Sequence, residues 1–406
     1  MSEAFVDTLP VPDKVVSVPD QTVDATVVCL LNFLAPNMIA VCQSWSTKVR
    51  HLIVLVSVAM EGNRAWQAEN GGLDLRVQRT WTRTRMDHHP GGYSDVNYVH
   101  LPFDTIGQLR RAKPDVVVSS ELGLRSILSY FYCAASGWFG IRRRRCQLVL
   151  AVSTSPWIEA SRSGRLRRLL LRCADAVTYH GPQCRDWLVE LGVPDKMLYP
   201  FYYAADPTKI YTGPIESIGS DNSPSLRIVT VGQLITRKGV REGLGKLIEV
   251  ARQMPGLKIH WSLLGDGPLM APLRETALPD NLHVDFRGNV NSSEIREAYR
   301  EHEMMFFPTR GDEWGLVVDE AMHSGLVVVG NDRAQAVVTL IRDNVNGFRY
   351  HTGDPESLHS AIERYTSRSS AERLSMRIAV RESVSDRTPE LAAQQINNLV
   401  AKLKLN

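Results

Sequence analysis

The chain has 406 residues, of which 44% are hydrophobic and 22% are charged, and its formal net charge is +3. This length suits two or three domains, and the composition excludes a disordered chain. The small net charge excludes a protein that binds polyanions through its overall charge, and we expect no nucleic-acid partner.

The first half alternates apolar runs with amphipathic ones. Near-continuous apolar runs separated by helical patterns are typical of parallel strands that are covered on both faces. We predict strands at 26–33, 51–58, 73–79, 115–119, 147–152 and 176–180, and helices at 38–48, 106–112, 122–135, 164–173 and 183–191.

Residues 25–46 contain no charged side chain and need to be weighed as a membrane span. A span requires about 20 predominantly apolar residues, whereas this stretch carries Asn32, Pro36, Asn37 and Gln43. A buried strand, a turn and a helix fit it better. The first residues, MSEAFVDTLPVPDK, are acidic and contain prolines, which is not the pattern of a secretory signal.

The six cysteines show no C-x2-C pair, and we expect them to be reduced and buried. These features predict a cytoplasmic protein.

The apolar rhythm stops between residues 208 and 225, where Gly, Pro, Ser, Asn and Asp mark a linker. The strand and helix pattern then resumes. We predict an α/β protein with two doubly wound, Rossmann-like domains facing a cleft. The predicted units are a first domain at 22–210, a linker at 211–225, a second domain at 226–385 and a final helix at 386–406 that could pack back on the first domain. In the second domain we predict strands at 226–231, 258–264, 282–287, 304–308 and 327–329, and helices at 240–253, 270–276, 292–301, 317–324, 335–341 and 356–364.

Four loops in the second half follow predicted strand ends, where ligands bind in such sheets. In VGQLITRKG, Arg237 and Lys238 precede a helix and could meet a phosphate, although a capping turn with basic surface residues is the plainer interpretation. The turns in LLGDGPL and FRGNV are equally ambiguous.

The fourth loop, GDEWGLVVDEAM, is the most informative. A helix beginning at Gly315 would offer its first amides to an anion. Glu320 would lie one turn inside, where it could accept hydrogen bonds from a vicinal diol, and Asp312 would precede the helix. We expect Asp319 to be a solvated helix position. Glu313 competes with Asp312 for a sugar contact.

These motifs resemble the donor domain of retaining glycosyltransferases of the GT-B fold, family 4 (glycosyl transferases group 1). The family's E-x7-E pattern appears as D-x7-E in DEWGLVVDE, and its phosphate turn appears as GQLITRKG. GDGP and FRGNV match in order and spacing, and NVNGFRY resembles the family's closing Asp/Asn-Gly segment. The match covers about residues 226–354 well and the first half thinly.

The resemblance implies a metal-independent transferase that takes a nucleotide-sugar as donor substrate and needs no cofactor. Glu320 would hold the ribose, Asp312 the donor sugar and Lys238 the diphosphate; these are the candidate catalytic residues. The candidate donor-binding residues are Gly232, Gln233, Arg237, Gly265, Gly267, Glu313, Trp314, Gly315, Leu316 and Val317.

The sequence departs from the family pattern at several places. Gln233 replaces the usual arginine, with Arg237 as a substitute, and Asp312 replaces the first glutamate. The acceptor-side histidine is absent, because Ser119-Ser120-Glu121 stands in its place, and FLAPN replaces the glycine-rich loop after the first strand. These departures affect the acceptor side more than the donor side.

We therefore expect a hexosyltransferase-like enzyme that acts on a glycan, a lipid-linked acceptor or a small molecule, with a place in cell-surface polysaccharide synthesis. The alternatives are an inactive relative that serves as a nucleotide-sugar-binding scaffold, and a nucleotide-sugar epimerase of the same fold.

Ten arginines lie between Arg125 and Arg172, against the single acid Glu159. This strip suits an anionic membrane surface, so peripheral attachment at the inner face of the membrane is a hypothesis. A solvated helix face with packed leucines explains it equally well. We interpret DHHPGGY, at 87–93, as a polar loop rather than a metal site.

Overall fold

The structure, a computed structural model, describes residues 22–62, 70–138, 145–154, 157–158, 164–216, 225–354 and 356–405. The amino-terminal stretch, the basic run at 141–144 and most of the linker, at 217–224, lie outside the described residues. Within them, no helix is both long and apolar enough to cross a bilayer.

The first half is built on a parallel sheet. Its strands and the hairpin inserted between them are β1 (Val23–Leu31), β2 (Val49–Val56), β3 (Asp74–Val77), β4 (Thr80–His89), β5 (Tyr93–Pro102), β6 (Val116–Ser120), β7 (Gln147–Val152), β8 (Ala176–Tyr179) and β9 (Leu198–Pro200). Its helices are α1 (Pro36–Ser46), α2 (Thr105–Ala112), α3 (Leu124–Trp138), α4 (Arg165–Cys173) and α5 (Pro182–Glu190). Seven strands pair in the order β3-β2-β1-β6-β7-β8-β9. The uncharged stretch at 25–46 forms β1 and α1, as predicted, because β1 is buried on both faces between two apolar clusters.

The second half repeats this architecture. Its strands are β10 (Ser225–Val231), β11 (Lys258–Leu264), β12 (Leu282–Gly288), β13 (Met304–Phe307), β14 (Val327–Asn331) and β15 (Gly347–Tyr350). Its helices are α6 (Val240–Gln253), α7 (Met270–Arg274), α8 (Ser292–Glu301), α9 (Leu316–His323), α10 (Gln335–Leu340), α11 (Glu356–Thr366) and α12 (Ser370–Glu382). The six parallel strands run in the order β12-β11-β10-β13-β14-β15 around one large apolar core. The predicted doubly wound α/β class is confirmed.

The last helix, α13 (Pro389–Leu405), lies on the first sheet rather than the second. Its apolar face, including Ile396, Leu399 and Val400, joins the core that Trp45 of α1 also enters. Lys404 reaches Asp115 at 3.4 Å, at the start of β6. The chain therefore crosses from the second domain back to the first, and the two domains are held by more than the linker.

The antiparallel pair β4 and β5 was not predicted, and DHHPGGY forms its tip rather than a free loop. The pair is missing from the sequence prediction because most of β4 is exposed, so its apolar residues show no buried face. This hairpin extends from the first domain to the second: Asp95 lies 3.4 Å from Arg237.

Candidate functional site

The strand order of the second sheet reverses between β10 and β13. At such a reversal the loops after the two strands diverge and leave a crevice at their carboxyl ends, where ligands bind. The two loops here are those that carry the predicted site: residues 232–239 after β10 and residues 308–315 after β13.

Two glycines allow the loops of this crevice to pack backbone against backbone. Gly239 has φ +65°, and a Cβ there would lie 2.0 Å from the carbonyl oxygen of Pro308. Gly265, after β11, has φ +141°, and a Cβ there would lie 2.0 Å from the carbonyl oxygen of Gly232. No side chain fits either contact, so glycine is required at both positions for the loops to pack this closely.

Lys238, Arg237 and Asp312, which the sequence analysis proposed for a phosphate and sugar site, meet in the crevice. The Lys238 Nζ atom lies 2.5 Å from Asp312 Oδ2, and an Arg237 guanidinium nitrogen lies 3.5 Å from the same oxygen. Burial works to raise the pKa of Asp312, but the charges of Lys238 and Arg237 and a hydrogen bond from the Trp314 amide hold it below its ordinary value. Asp312 is therefore ionised and fixed.

Glu313 points away from this cluster toward the first domain. Its carboxyl accepts a hydrogen bond from the Ser153 hydroxyl at 3.3 Å. The side chain is exposed to solvent, although groups of both domains surround it. This enclosure and the charge of Glu121 raise the pKa of Glu313 to about 7, and water in the cleft screens part of the effect. The carboxyl groups of these two neighbouring acids therefore face opposite sides of the cleft.

Glu320 is buried one turn inside α9, beside two residues that the sequence did not single out. Its carboxyl lies 3.4 Å from Lys209 Nζ and accepts a hydrogen bond from the Tyr299 hydroxyl at 3.3 Å. Lys209 also lies 3.5 Å from the buried carboxylate of Asp206. Burial raises the pKa of Glu320 to about 7, although the charge of Lys209 opposes this shift.

Asp319 is not a solvated helix position, which corrects the sequence prediction. It is fully buried, accepts a hydrogen bond from the Trp314 indole, and lies 3.0 Å from the Arg387 guanidinium. The guanidinium also lies 5.1 Å from the Trp314 ring centroid. The Trp314 side chain is thus part of the packing, and only its backbone is placed to contact a ligand.

The remaining candidate residues line the same two loops and the turn after β11. Gln233 follows Gly232 in the loop after β10 and is partly exposed. Gly267, in the turn after β11, packs against the backbone of Leu234. Leu316 and Val317 are the first two residues of α9, and Gly315 is the N-cap that precedes them. Their amides belong to the first turn of a helix, where an α-helix provides no partner for them.

The first sheet has its own reversal, between β1 and β6. Asn32 follows β1 and donates a hydrogen bond to Glu121, which follows β6 with φ +68°. Arg125 is buried behind them and donates to Asn32 at 3.1 Å and to Ser57 at 2.8 Å. Because a non-glycine residue at positive φ is uncommon, this carboxylate is held in a strained position at the place where the family pattern has a histidine.

Direct contacts join the domains around the cleft. The buried Gln335 side chain donates to the carbonyl oxygens of Thr154 and Glu313, at 2.5 and 3.0 Å, and accepts from the Cys184 amide at 3.0 Å. The Arg333 guanidinium lies 4.5 Å from the Trp157 ring centroid. In the part of the chain that the structure describes, no group of three or more acids, histidines and cysteines is arranged to hold a metal ion.

Two described arginines of the basic strip are engaged elsewhere, because Arg125 is buried in α3 and Arg145 lies 3.5 Å from Asp175, so its exposed described part is α4. Leu170 and Leu171 are buried, whereas Leu166 and Leu169 are 61% and 60% exposed. The arginines of α4 lie on this exposed side, except that Arg167 is partly covered. Core packing therefore accounts for two of its leucines and leaves the other two in solvent.

Comparison with known proteins supports the motif assignment. Residues 225–368 match the family model described as glycosyl transferases group 1. Over 127 residues the chain is 32% identical to the sulfoquinovosyl transferase SQD2 of Arabidopsis thaliana. Over 151 residues it is 26% identical to the GtfA subunit of a UDP-N-acetylglucosamine–peptide N-acetylglucosaminyltransferase of Streptococcus pneumoniae serotype 4. These alignments span 30% and 36% of this chain, but only 24% and 29% of the relatives' own length.

Solved structures resemble most of the chain, across both of its halves. Anabaena Alr3699/HepE in complex with UDP-glucose matches with a TM-score of 0.66 at 14% identity, covering 93% of this chain and 99% of that one. The apo form of the lipopolysaccharide outer core galactosyltransferase WaaB matches with a TM-score of 0.66 at 11% identity, with the same coverage. At such low identity the likeness establishes the fold, in both halves of the chain.

Proposed function

Because the second domain belongs to the group 1 glycosyltransferases and the chain has the GT-B fold, we propose that this protein transfers a hexose from a nucleotide-sugar to a hydroxylated acceptor, with retention of configuration. One observation carries the proposal. Lys238 and Arg237 converge on Asp312 beside the amino-terminal end of α9, in the crevice between β10 and β13.

In this proposal the two cations and the first amides of α9 bind the diphosphate. Negative charge grows on the leaving diphosphate as the sugar departs, and fixed cations and amides stabilise that charge without rearranging. Asp312 contacts the sugar. Glu320 accepts hydrogen bonds from the ribose hydroxyls, and Lys209 gives up part of its contact with Glu320 to allow this. Since two cations and a helix start supply the positive charge, the reaction is proposed to need neither a metal ion nor a cofactor.

The acceptor is proposed to enter from the first domain, between Glu121 and Glu313. Carboxylates and the Asn32 amide suit sugar hydroxyls, so a glycan or a lipid-linked sugar fits this side. WaaB, which is similar in fold, is named a lipopolysaccharide outer core galactosyltransferase, and we propose a role in cell-surface polysaccharide synthesis by analogy with it.

A panel of UDP-, GDP- and ADP-sugars tests the proposal. A ligand that binds only the folded state at 100 times its Kd stabilises it by about 2.7 kcal/mol, so the true donor should raise Tm by several degrees. Free sugars and nucleoside monophosphates are the controls. Release of nucleoside diphosphate with an acceptor marks a transferase, and conversion of the donor without one marks an epimerase. Binding without either reaction marks an inactive relative.

Attachment to the inner face of an anionic membrane is proposed for α4, because exposed arginines alternate there with exposed leucines. A basic residue near such a surface contributes about 1 kcal/mol. Sedimentation with phosphatidylserine vesicles should fall at least 10-fold when Arg165, Arg168 and Arg172 are changed to glutamate. The control changes two exposed arginines of α6, Arg241 and Arg252, to glutamate and is compared with the double variant at Arg165 and Arg168. Equal sedimentation with phosphatidylcholine vesicles would contradict the proposal.

A further inference from the structure

Tyr93, at the first position of β5, has a buried hydroxyl that makes no hydrogen bond to the described part of the chain. The residue is only 4% exposed, and its hydroxyl has no hydrogen-bond partner among the described residues. Leaving a buried polar group unpaired costs about 1–3 kcal/mol, so such groups are rare unless a ligand completes them.

The hydroxyl is aimed at the loop that carries the sugar-binding carboxylate. A Cβ at Gly311 would lie 2.9 Å from the Tyr93 hydroxyl oxygen, so the phenol rests against the residue just before Asp312. Burial raises the pKa of Tyr93, and the charges of Asp95, Asp312 and Glu313 act in the same direction while Arg237 opposes them. The phenol is therefore a neutral group that can donate its proton in a hydrogen bond.

The ring is held in place by its neighbours on the hairpin. It stacks on His89, with ring centroids 4.6 Å apart. His89 is itself fixed by hydrogen bonds to Asp95 at 2.6 Å and to the carbonyl oxygen of Ile158 at 2.8 Å. Asp95 then reaches Arg237 of the second domain at 3.4 Å. A group oriented by packing and by several contacts in this way is prepared for binding before the ligand arrives.

We propose that the Tyr93 hydroxyl donates a hydrogen bond to a hydroxyl group of the transferred sugar. The first domain thereby contributes, through the β4–β5 hairpin, to the choice of donor. This inference rests on the proposed function, in which Asp312 contacts the same sugar. A buried donor that needs a substrate hydroxyl discriminates against sugars that lack it, since the pair is then broken and the phenol stays unpaired.

The substitution Tyr93→Phe removes the hydroxyl and keeps the ring. With UDP-glucose, or the sugar nucleotide of the panel that stabilises the wild type most, kcat/KM is expected to fall about 10- to 100-fold. Binding of the corresponding nucleoside diphosphate, which has no sugar, is expected to stay unchanged. Thermal stability should be equal or higher, because an unsatisfied group has been removed.

Tyr98→Phe on the same hairpin is the control and is expected to behave as the wild type. The inference is overturned if Tyr93→Phe turns over the sugar nucleotide as the wild type does, or if it weakens the sugar nucleotide and the nucleoside diphosphate equally. A wild type that binds and turns over no sugar nucleotide overturns the proposed function and this inference together, whereas an active wild type with an equally active variant overturns this inference alone.

Discussion

Replacing Lys238 with alanine is expected to lower kcat/KM for the nucleotide-sugar at least about 100-fold, the loss typical of removing one group that stabilises charge in a transition state. The Lys238 ammonium group lies 2.5 Å from Asp312 and beside the crevice where the diphosphate is proposed to bind. Its removal deletes a cation and leaves Asp312 buried with the more distant Arg237, at 3.5 Å, and the Trp314 amide as its partners. Initial rates and calorimetric donor binding measure the effect.

Lys258→Ala is the matched control, because Lys258 is an exposed residue at the start of β11, at the opposite end of the sheet from the crevice. It makes the same change in net charge and should retain wild-type kinetics. If Lys238→Ala raises KM and leaves kcat unchanged, the lysine binds the ground state and the transition state equally. If kcat/KM is within about 3-fold of the wild type, a difference of less than 1 kcal/mol, the assignment is wrong.

The architecture and the donor loops could be predicted from the sequence because both depend on local patterns. Near-continuous apolar runs identified most of the parallel strands, and turns such as GDGP marked where strands end. Parallel strands bring their carboxyl ends to one edge, so the order of elements alone placed Lys238 and Asp312 in the same crevice.

Partners distant along the chain could not be predicted in this way. Asp319 occupies a first-turn position that is usually solvated, but Arg387 and the Trp314 indole surround it. Glu320 and Lys209 are 111 residues apart in the sequence, and no periodicity connects them. The hairpin was not predicted for a related reason. It makes contacts with the other domain, and its strands lack the regular alternation of buried and exposed residues that a pattern could reveal.

Replacing Glu320 with glutamine is expected to weaken donor binding about 10- to 100-fold, because the ribose hydroxyls lose a charged acceptor. The same change should stabilise the free protein at alkaline pH. Glu320 is buried, and its pKa is about 7 against an ordinary value of 4.5. Between these two values the unfolded chain releases the proton while the folded chain retains it, so the free energy of unfolding falls as pH rises and reaches its lower value above pH 7.

Glutamine cannot ionise, so the free energy of unfolding of the variant does not fall with pH through this group. Urea unfolding across this pH range should show a shallower decline for Glu320→Gln, and a gain over the wild type of about 3 kcal/mol at pH 8. Glu313 has a raised pKa as well and supplies a slope that both proteins share. Glu363→Gln, on the exposed side of α11, changes the same functional group in solvent and should leave stability and binding unchanged.

The two measurements separate a binding residue from a structural one. A carboxylate kept only as a partner for Lys209 would give a variant that is less stable at every pH, because the lysine would lose a buried counterion and keep only Asp206 at 3.5 Å. Its donor affinity would then be unchanged. A variant that is more stable and binds poorly instead means that the folded protein retains an unfavourable buried charge for the sake of its ligand, as expected of an active site that trades stability for binding.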